Sequence, residues 1–156
     1  MDIANEPPLI CVEDDIDASM EGLTEVHDLL ERFWQLVRQA QVPAPDATWR
    51  ALFDSAAAEI AGNVVRHAFP TPIPNTHFHM SLCCFEDHIV ATTLDQGVPC
   101  AIPTSIRSPE MILALDDVLL DHGWGLPIAQ AATDALDYQR SADGWNQWRI
   151  DKYFAS

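Results

Sequence analysis

The stretch from Phe53 to Ala68, FDSAAAEIAGNVVRHA, constrains the fold more than any other in this chain. Leu52, Phe53, Ala56, Ile60 and Val64 recur at three- and four-residue steps, the spacing of a buried helical stripe. Polar side chains are set into this helix in an ordered way. Glu59 and Asn63 lie four residues apart, so one turn stacks them on a single face, with His67 continuing the line and Arg66 beside it. Ala56, Ala57, Ala58, Ala61 and Gly62 keep the surrounding surface low, which leaves room for a ligand to lie against the helix. On its own an E-x-x-x-N pair reads as a solvated polar face. Its weight comes from the segments that follow.

Before that helix, residues 1–17 mix Pro7 and Pro8 with Glu13, Asp14, Asp15 and Asp17, and read as a loose acidic leader in which Leu9–Val12 adds an edge strand. The folded domain is expected over 18–156. Ser19 offers a helix cap with Glu21 in the first turn, and Leu23, Val26, Leu30, Phe33, Trp34 and Val37 carry a helix from Met20 to Gln41. Pro43 and Pro45 end it, Asp46 or Thr48 caps the next helix, and that helix stops before Pro70. His77–Cys84 then alternates, with Phe78, Met80, Leu82 and Cys84 on one side, as a half-buried strand does. A Glu86-Asp87 turn joins it to a second strand, His88–Leu94, as an antiparallel hairpin. A short helix is expected over Pro109–Leu120 and a third long one over Gly123–Leu136. Strands at Leu136–Arg140 and Gln147–Phe154 close the chain around Asp143-Gly144. The sum is an α/β two-layer sandwich: a mixed, mostly antiparallel sheet covered on one face by helices.

Charge narrows the function. The 24 acidic residues outnumber the 8 basic ones, giving a net charge of −16 that repels phosphate backbones and argues against direct DNA or RNA binding. It accords with a basic protein partner, or with solubility through self-repulsion. No apolar run reaches membrane-spanning length and no signal-peptide pattern opens the chain, so no membrane association is expected. The four cysteines lack framework spacing and imply a reduced, cytoplasmic protein. His77, His79 and Cys83 share a strand face and offer a zinc-like set, but no fourth ligand stands at motif spacing, so they read as a polar sheet face.

Three local signals carry chemistry. Glu59 and Asn63 are the first. The second is Asp95-Gln96-Gly97, at the end of a strand, where a glycine admits a close approach of backbone to ligand. The third is His122-Gly123-Trp124-Gly125-Leu126, a glycine pair opening a helix, a setting that suits phosphate. Their order and spacing resemble the ATP-binding domain of the gyrase and histidine-kinase superfamily, and within it the serine-kinase anti-sigma factors of bacteria. The resemblance runs from about Ile16 to Phe154 and is carried by E-I-A-G-N-V-V-R-H-A, D-Q-G-V-P, H-G-W-G-L-P-I-A and the closing A-L-D-Y…D-G-W hairpin.

That resemblance implies a histidine-kinase-type ATP-binding fold using ATP and Mg²⁺ to phosphorylate a serine or threonine. It implies Asn63 as the Mg²⁺ ligand, Glu59 as the base acting on the attacking hydroxyl, and Asp95 as acceptor from the adenine amino group. Gly97 would let the ring approach. Gly123 and Gly125, with Leu126 beside them, would shape the phosphate-covering loop, and Arg66 would contact phosphate or a partner. A sigma factor, a phosphorylated anti-anti-sigma antagonist and a homodimer are the implied partners. Two departures stand out. Asp121, His122 and Trp124 occupy places where the family often carries a base, and Gly144-Trp145-Asn146-Gln147 replaces a Gly-Gly-Thr-like turn. Losing a cation there harms phosphoryl transfer more than binding. The alternative is therefore a regulatory module of the same fold that binds nucleotide or protein without turnover.

Overall fold

The computed structural model describes residues 6–43, 45–71, 73–100 and 125–154. Period-2 alternation builds a five-stranded sheet from β1 (Ile10–Asp17), β2 (His77–Cys84), β3 (His88–Asp95), β4 (Ala135–Arg140) and β5 (Asn146–Tyr153), in the spatial order β1-β2-β3-β5-β4. Every pairing among these strands is antiparallel. Among the described residues three α-helices pack with it: α1 (Gly22–Gln39), α2 (Ala47–Asn63) and α3 (Gly125–Ala131). The helix contacts fall on β1, β2, β3, β4 and β5, and α3 packs against α2. The protein is thus an α/β two-layer sandwich, as its patterning implies.

The core lies between the layers. Val26, Leu29, Leu30, Phe33, Trp34 and Val37 of α1 meet Phe53, Ala56, Ala57, Ile60 and Ala61 of α2 and the inward row Phe78, Met80, Leu82 and Cys84 of β2. Burying a large apolar side chain contributes about 1.5–3 kcal/mol, so α1's apolar stripe is consumed within the chain's own core. Polar contacts fix how the two helices sit. Trp34 Nε1 donates to Asp54 Oδ1 at 2.7 Å, and the Arg50 guanidinium lies over the Trp34 ring at 4.6 Å. Asp46 caps α2 by accepting from the Trp49 N–H at 2.8 Å.

Several boundaries differ from the sequence reading, each for a local reason. The acidic segment is no mere leader: Ile10–Asp17 pairs along the whole of β2 because Val12 and Ile16 face the core while Cys11, Glu13 and Asp15 face out. Ser19 makes no cap bond to α1, whose preceding residue Glu21 is already helical in backbone. Instead Glu25 accepts from the Asp17 N–H, tying the end of β1 to the helix. The third helix ends at Ala131, not Leu136. Thr133 Oγ1 bonds the Ala129 carbonyl and the Asp134 N–H donates to the Asp151 carbonyl, which draws the chain into the sheet. The helix expected over 109–120 and Gly123 lie outside the described residues.

The cysteines also depart from expectation. Cys11 and Cys83 are cross-strand partners with Cα atoms 4.1 Å apart and are joined as a disulfide, whereas the sequence reading had all four reduced. Adjacent strands supply the proximity that a separation of 72 residues hides. Cys84 and Cys100 are not disulfide-bonded. No helix among the described residues is long and apolar enough to cross a membrane.

Candidate functional site

Register places the site. On the helix-facing side of the sheet, Asp95 of β3 pairs with Asn146 of β5, which pairs with Arg140 of β4, so all three stand in one row at the same end. Asp95 is 1% exposed. Its Oδ1 accepts from the Gly97 N–H and from Asn146 Nδ2, each at 2.8 Å. Its Oδ2 is buried and has no partner among the described residues. Burial pushes the Asp95 carboxyl above the usual carboxylate range, while the bonds from Asn146 and Gly97 and the Arg140 charge pull the other way. One pleat away on the same face, Thr93 Oγ1 is likewise buried and unpartnered. A native interior satisfies nearly all such atoms. Two such atoms on one strand face leave room for hydrogen bonds from water or a ligand.

Asn146 holds the surroundings of Asp95 in place. Its Nδ2 also lies 3.2 Å from the Gly97 carbonyl and 3.0 Å from that of Val98, and its Oδ1 accepts from the Tyr138 hydroxyl and from Arg140 Nη1 at 2.8 Å. Arg140 Nη1 reaches the Gly97 carbonyl at 3.0 Å, and Tyr138 Oη accepts from the Cys100 N–H at 3.0 Å. The D-Q-G turn is therefore gripped from β4 and β5. The 144–147 turn carries no threonine, yet its Asn146, with Arg140 and Tyr138, surrounds Asp95, and none of the three stands out in the sequence. Their shared strand parity was visible, but the register that sets them beside Asp95 was not.

Helix α2 closes the other side. After Asn63 the backbone widens into a π-helical segment, Val64–Ala68, a distortion frequent at functional sites. The Ala68 carbonyl accepts from the Val98 N–H at 2.8 Å. Gly97 makes this docking possible, since a Cβ there would stand 2.3 Å from the Ala68 oxygen. Glu59 and Asn63 are both partly exposed, and the Asn63 amide bonds none of the described residues. Arg66, exposed, turns back to Glu59 with Nη2 3.5 Å from Oε2.

The structure thus brings the Glu59–Ala68 segment to the Asp95 turn through Ala68, and brings α3 to α2. Gly125 opens α3, and Leu126 belongs to the hydrophobic core. Elsewhere the His77, His79, Cys83 set is taken up by other contacts: the Cys83 sulfur by Cys11, and His79 by Asp15 at 2.9 Å and Glu13 at 3.5 Å. Compared with known proteins, the sequence matches no family model and no curated protein.

Proposed function

We propose that this chain is an ATP-binding regulatory protein of the serine-kinase anti-sigma type, holding a sigma factor and phosphorylating a serine or threonine of an antagonist protein. The observation that carries the reading is Asp95 Oδ2, a buried acceptor with no donor among the described residues, on a carboxylate fixed through its Oδ1 by Asn146 and the Gly97 N–H. An exocyclic adenine amine supplies the missing donor, whereas the oxo group of guanine cannot. Asn63 offers an amide oxygen, the ligand type a hard cation such as Mg²⁺ takes. Glu59, one turn earlier, accepts the proton of the incoming hydroxyl. Arg66 contacts phosphate, and Gly123 and Gly125 shape the loop that covers it. Bound ATP-Mg²⁺ supplies the transferable phosphoryl group and the charge that bridges its phosphates.

Calorimetry with ATP-Mg²⁺ and GTP-Mg²⁺ tests the nucleotide site: binding of ATP alone, lost in Asn63→Ala and Asp95→Asn, is expected. Label transfer from ATP to an antagonist protein, abolished in Glu59→Ala, separates kinase from nucleotide-binding module, and absence of any nucleotide binding rejects both. The bacterial cytoplasm, where ATP and sigma factors meet, is the proposed compartment. A Cys11–Cys83 bond that persists in intact cells counts against it, since thiol pools there keep such pairs reduced. A homodimer is part of the same proposal, and light scattering at chromatographic resolution decides it.

A further inference from the structure

The Arg66 side chain lies back along α2, over Gly62, to reach Glu59 seven residues earlier. Two features allow so long a return. Helical side chains tilt toward the N-terminus, and the π-helical widening from Val64 changes the angle at which Arg66 leaves the helix. Gly62 provides the bed. A Cβ on it would stand 2.9 Å from Arg66 Nη2, 3.1 Å from Nη1 and 3.2 Å from Cζ, and these are the nearest atoms it would meet.

Arg66 is also a scarce resource in a chain with 8 basic residues against 24 acids. The arginine at the Asp95 turn, Arg140, is committed to the Gly97 carbonyl and Asn146. We infer that Arg66 has two positions: without nucleotide it rests on Glu59 across Gly62, and when phosphates arrive it passes to them and releases the Glu59 carboxylate. This inference rests on the ATP-binding reading and adds a control to the same site. An exposed ion pair is weak, while a triphosphate presents more charge and matches the guanidinium fork, so the exchange runs toward phosphate. One cation then restrains the base in the resting protein and neutralises the phosphates in the loaded one. In the transfer that follows, the hydroxyl oxygen bonds to the γ-phosphorus while the bond to the ADP oxygen breaks and leaves its electron pair there. The hydroxyl proton passes to the freed Glu59.

The test uses the full chain, calorimetric titration with ATP-Mg²⁺, and the Arg66 Nε–Hε signal in nuclear magnetic resonance. Gly62→Ala expels the guanidinium while keeping every charge, and it exchanges glycine for a better helix former, so folding is retained. Its expected effect is binding about two- to fivefold tighter, because phosphate no longer competes with Glu59. Arg66→Gln is expected to weaken binding about tenfold, and the double variant to match Arg66→Gln. In the wild type the Arg66 signal is expected to move on adding ATP-Mg²⁺, and in Gly62→Ala to be shifted already without it. If wild type binds ATP-Mg²⁺ but Gly62→Ala weakens binding or leaves it unchanged, the inference fails and the nucleotide reading stands. If wild type binds no ATP-Mg²⁺, the reading and the exchange fall together, and an Arg66 signal still sensitive to Gly62→Ala identifies a purely structural ion pair.

Discussion

Asp95 concentrates the energetic tension of this protein in one carboxylate. Burial raises its pKa in the folded chain, so its contribution to stability is fully present below the unfolded carboxylate value near 3.8 and is lost as pH rises through the folded value. Asp95→Asn removes that loss. Its melting temperature at neutral pH is expected to equal or exceed that of the wild type, while ATP affinity falls at least tenfold, the scale of a hydrogen bond to a charged group. Thermal melts and calorimetry on one preparation read both. On the proposed ATP-binding reading a donor at Oδ2 favours the ionised form and lowers the Asp95 pKa, so between the bound and free values nucleotide uptake would release protons. Affinity there is expected to rise with pH, which calorimetry in buffers of different ionisation enthalpy detects. Asn146→Ala has the opposite profile. It strips Asp95 Oδ1 of a donor, leaves the Tyr138 hydroxyl without its acceptor and Arg140 with the Gly97 carbonyl in place of two acceptors, and is expected to cost on the order of 2–3 kcal/mol in denaturant melts.

Among the elements, β1 shows how an edge strand is secured. Its outward Glu13 and Asp15 grip His79 of β2, and the bond to Asp15 foremost pushes the imidazole above its usual value, against burial. A raised histidine stabilises the fold fully below the unfolded value near 6.5 and loses that contribution as pH rises through the folded one. Hydrogen exchange at β1 amides, corrected for intrinsic rates, is expected to show weaker protection above that transition, and His79→Gln to abolish the dependence. The acids of residues 13–17 looked like leader chemistry because their partners lie some 60 residues downstream; Asp15 and His79 are 64 apart. Helix α2 was the easier reading. Its apolar steps, Asp46 cap and stop before Pro70 are local properties, whereas its π-helical end belongs to the docking of Ala68 on Val98.

At the scale of the molecule, two global features set the conditions for folding. The Cys11–Cys83 bond closes a 72-residue loop, worth about 4 kcal/mol in the chain-entropy description. Cys83→Ser, or reduction, is expected to lower the melting temperature on the order of 10 °C. Thiol titration of the wild type is expected to rise on reduction from the two non-disulfide cysteines, Cys84 and Cys100, to all 4 in the sequence, whereas Cys83→Ser exposes the Cys11 thiol beside those two. The net charge of −16 acts everywhere at once. Raising salt from about 0.01 to about 0.15 M shortens the screening length from about 30 to about 8 Å, so the melting temperature is expected to climb over that interval as self-repulsion is screened.

Periodicity alone settled the class of fold. Three- and four-residue steps through α1 and α2 and strict alternation in β2 are consequences of which faces must leave water, and they survive without knowledge of any partner. Glu59 and Asn63 are legible for the same reason, since one helical turn fixes their relation. Asn146 beside Asp95 and Cys11 against Cys83 were decided only when distant segments met, and Arg66 folds over Gly62 at a helix end that widens where Ala68 docks on Val98. Strand register and the widened end of a helix are set by the energy of the assembled layers, and no short window of residues contains that energy.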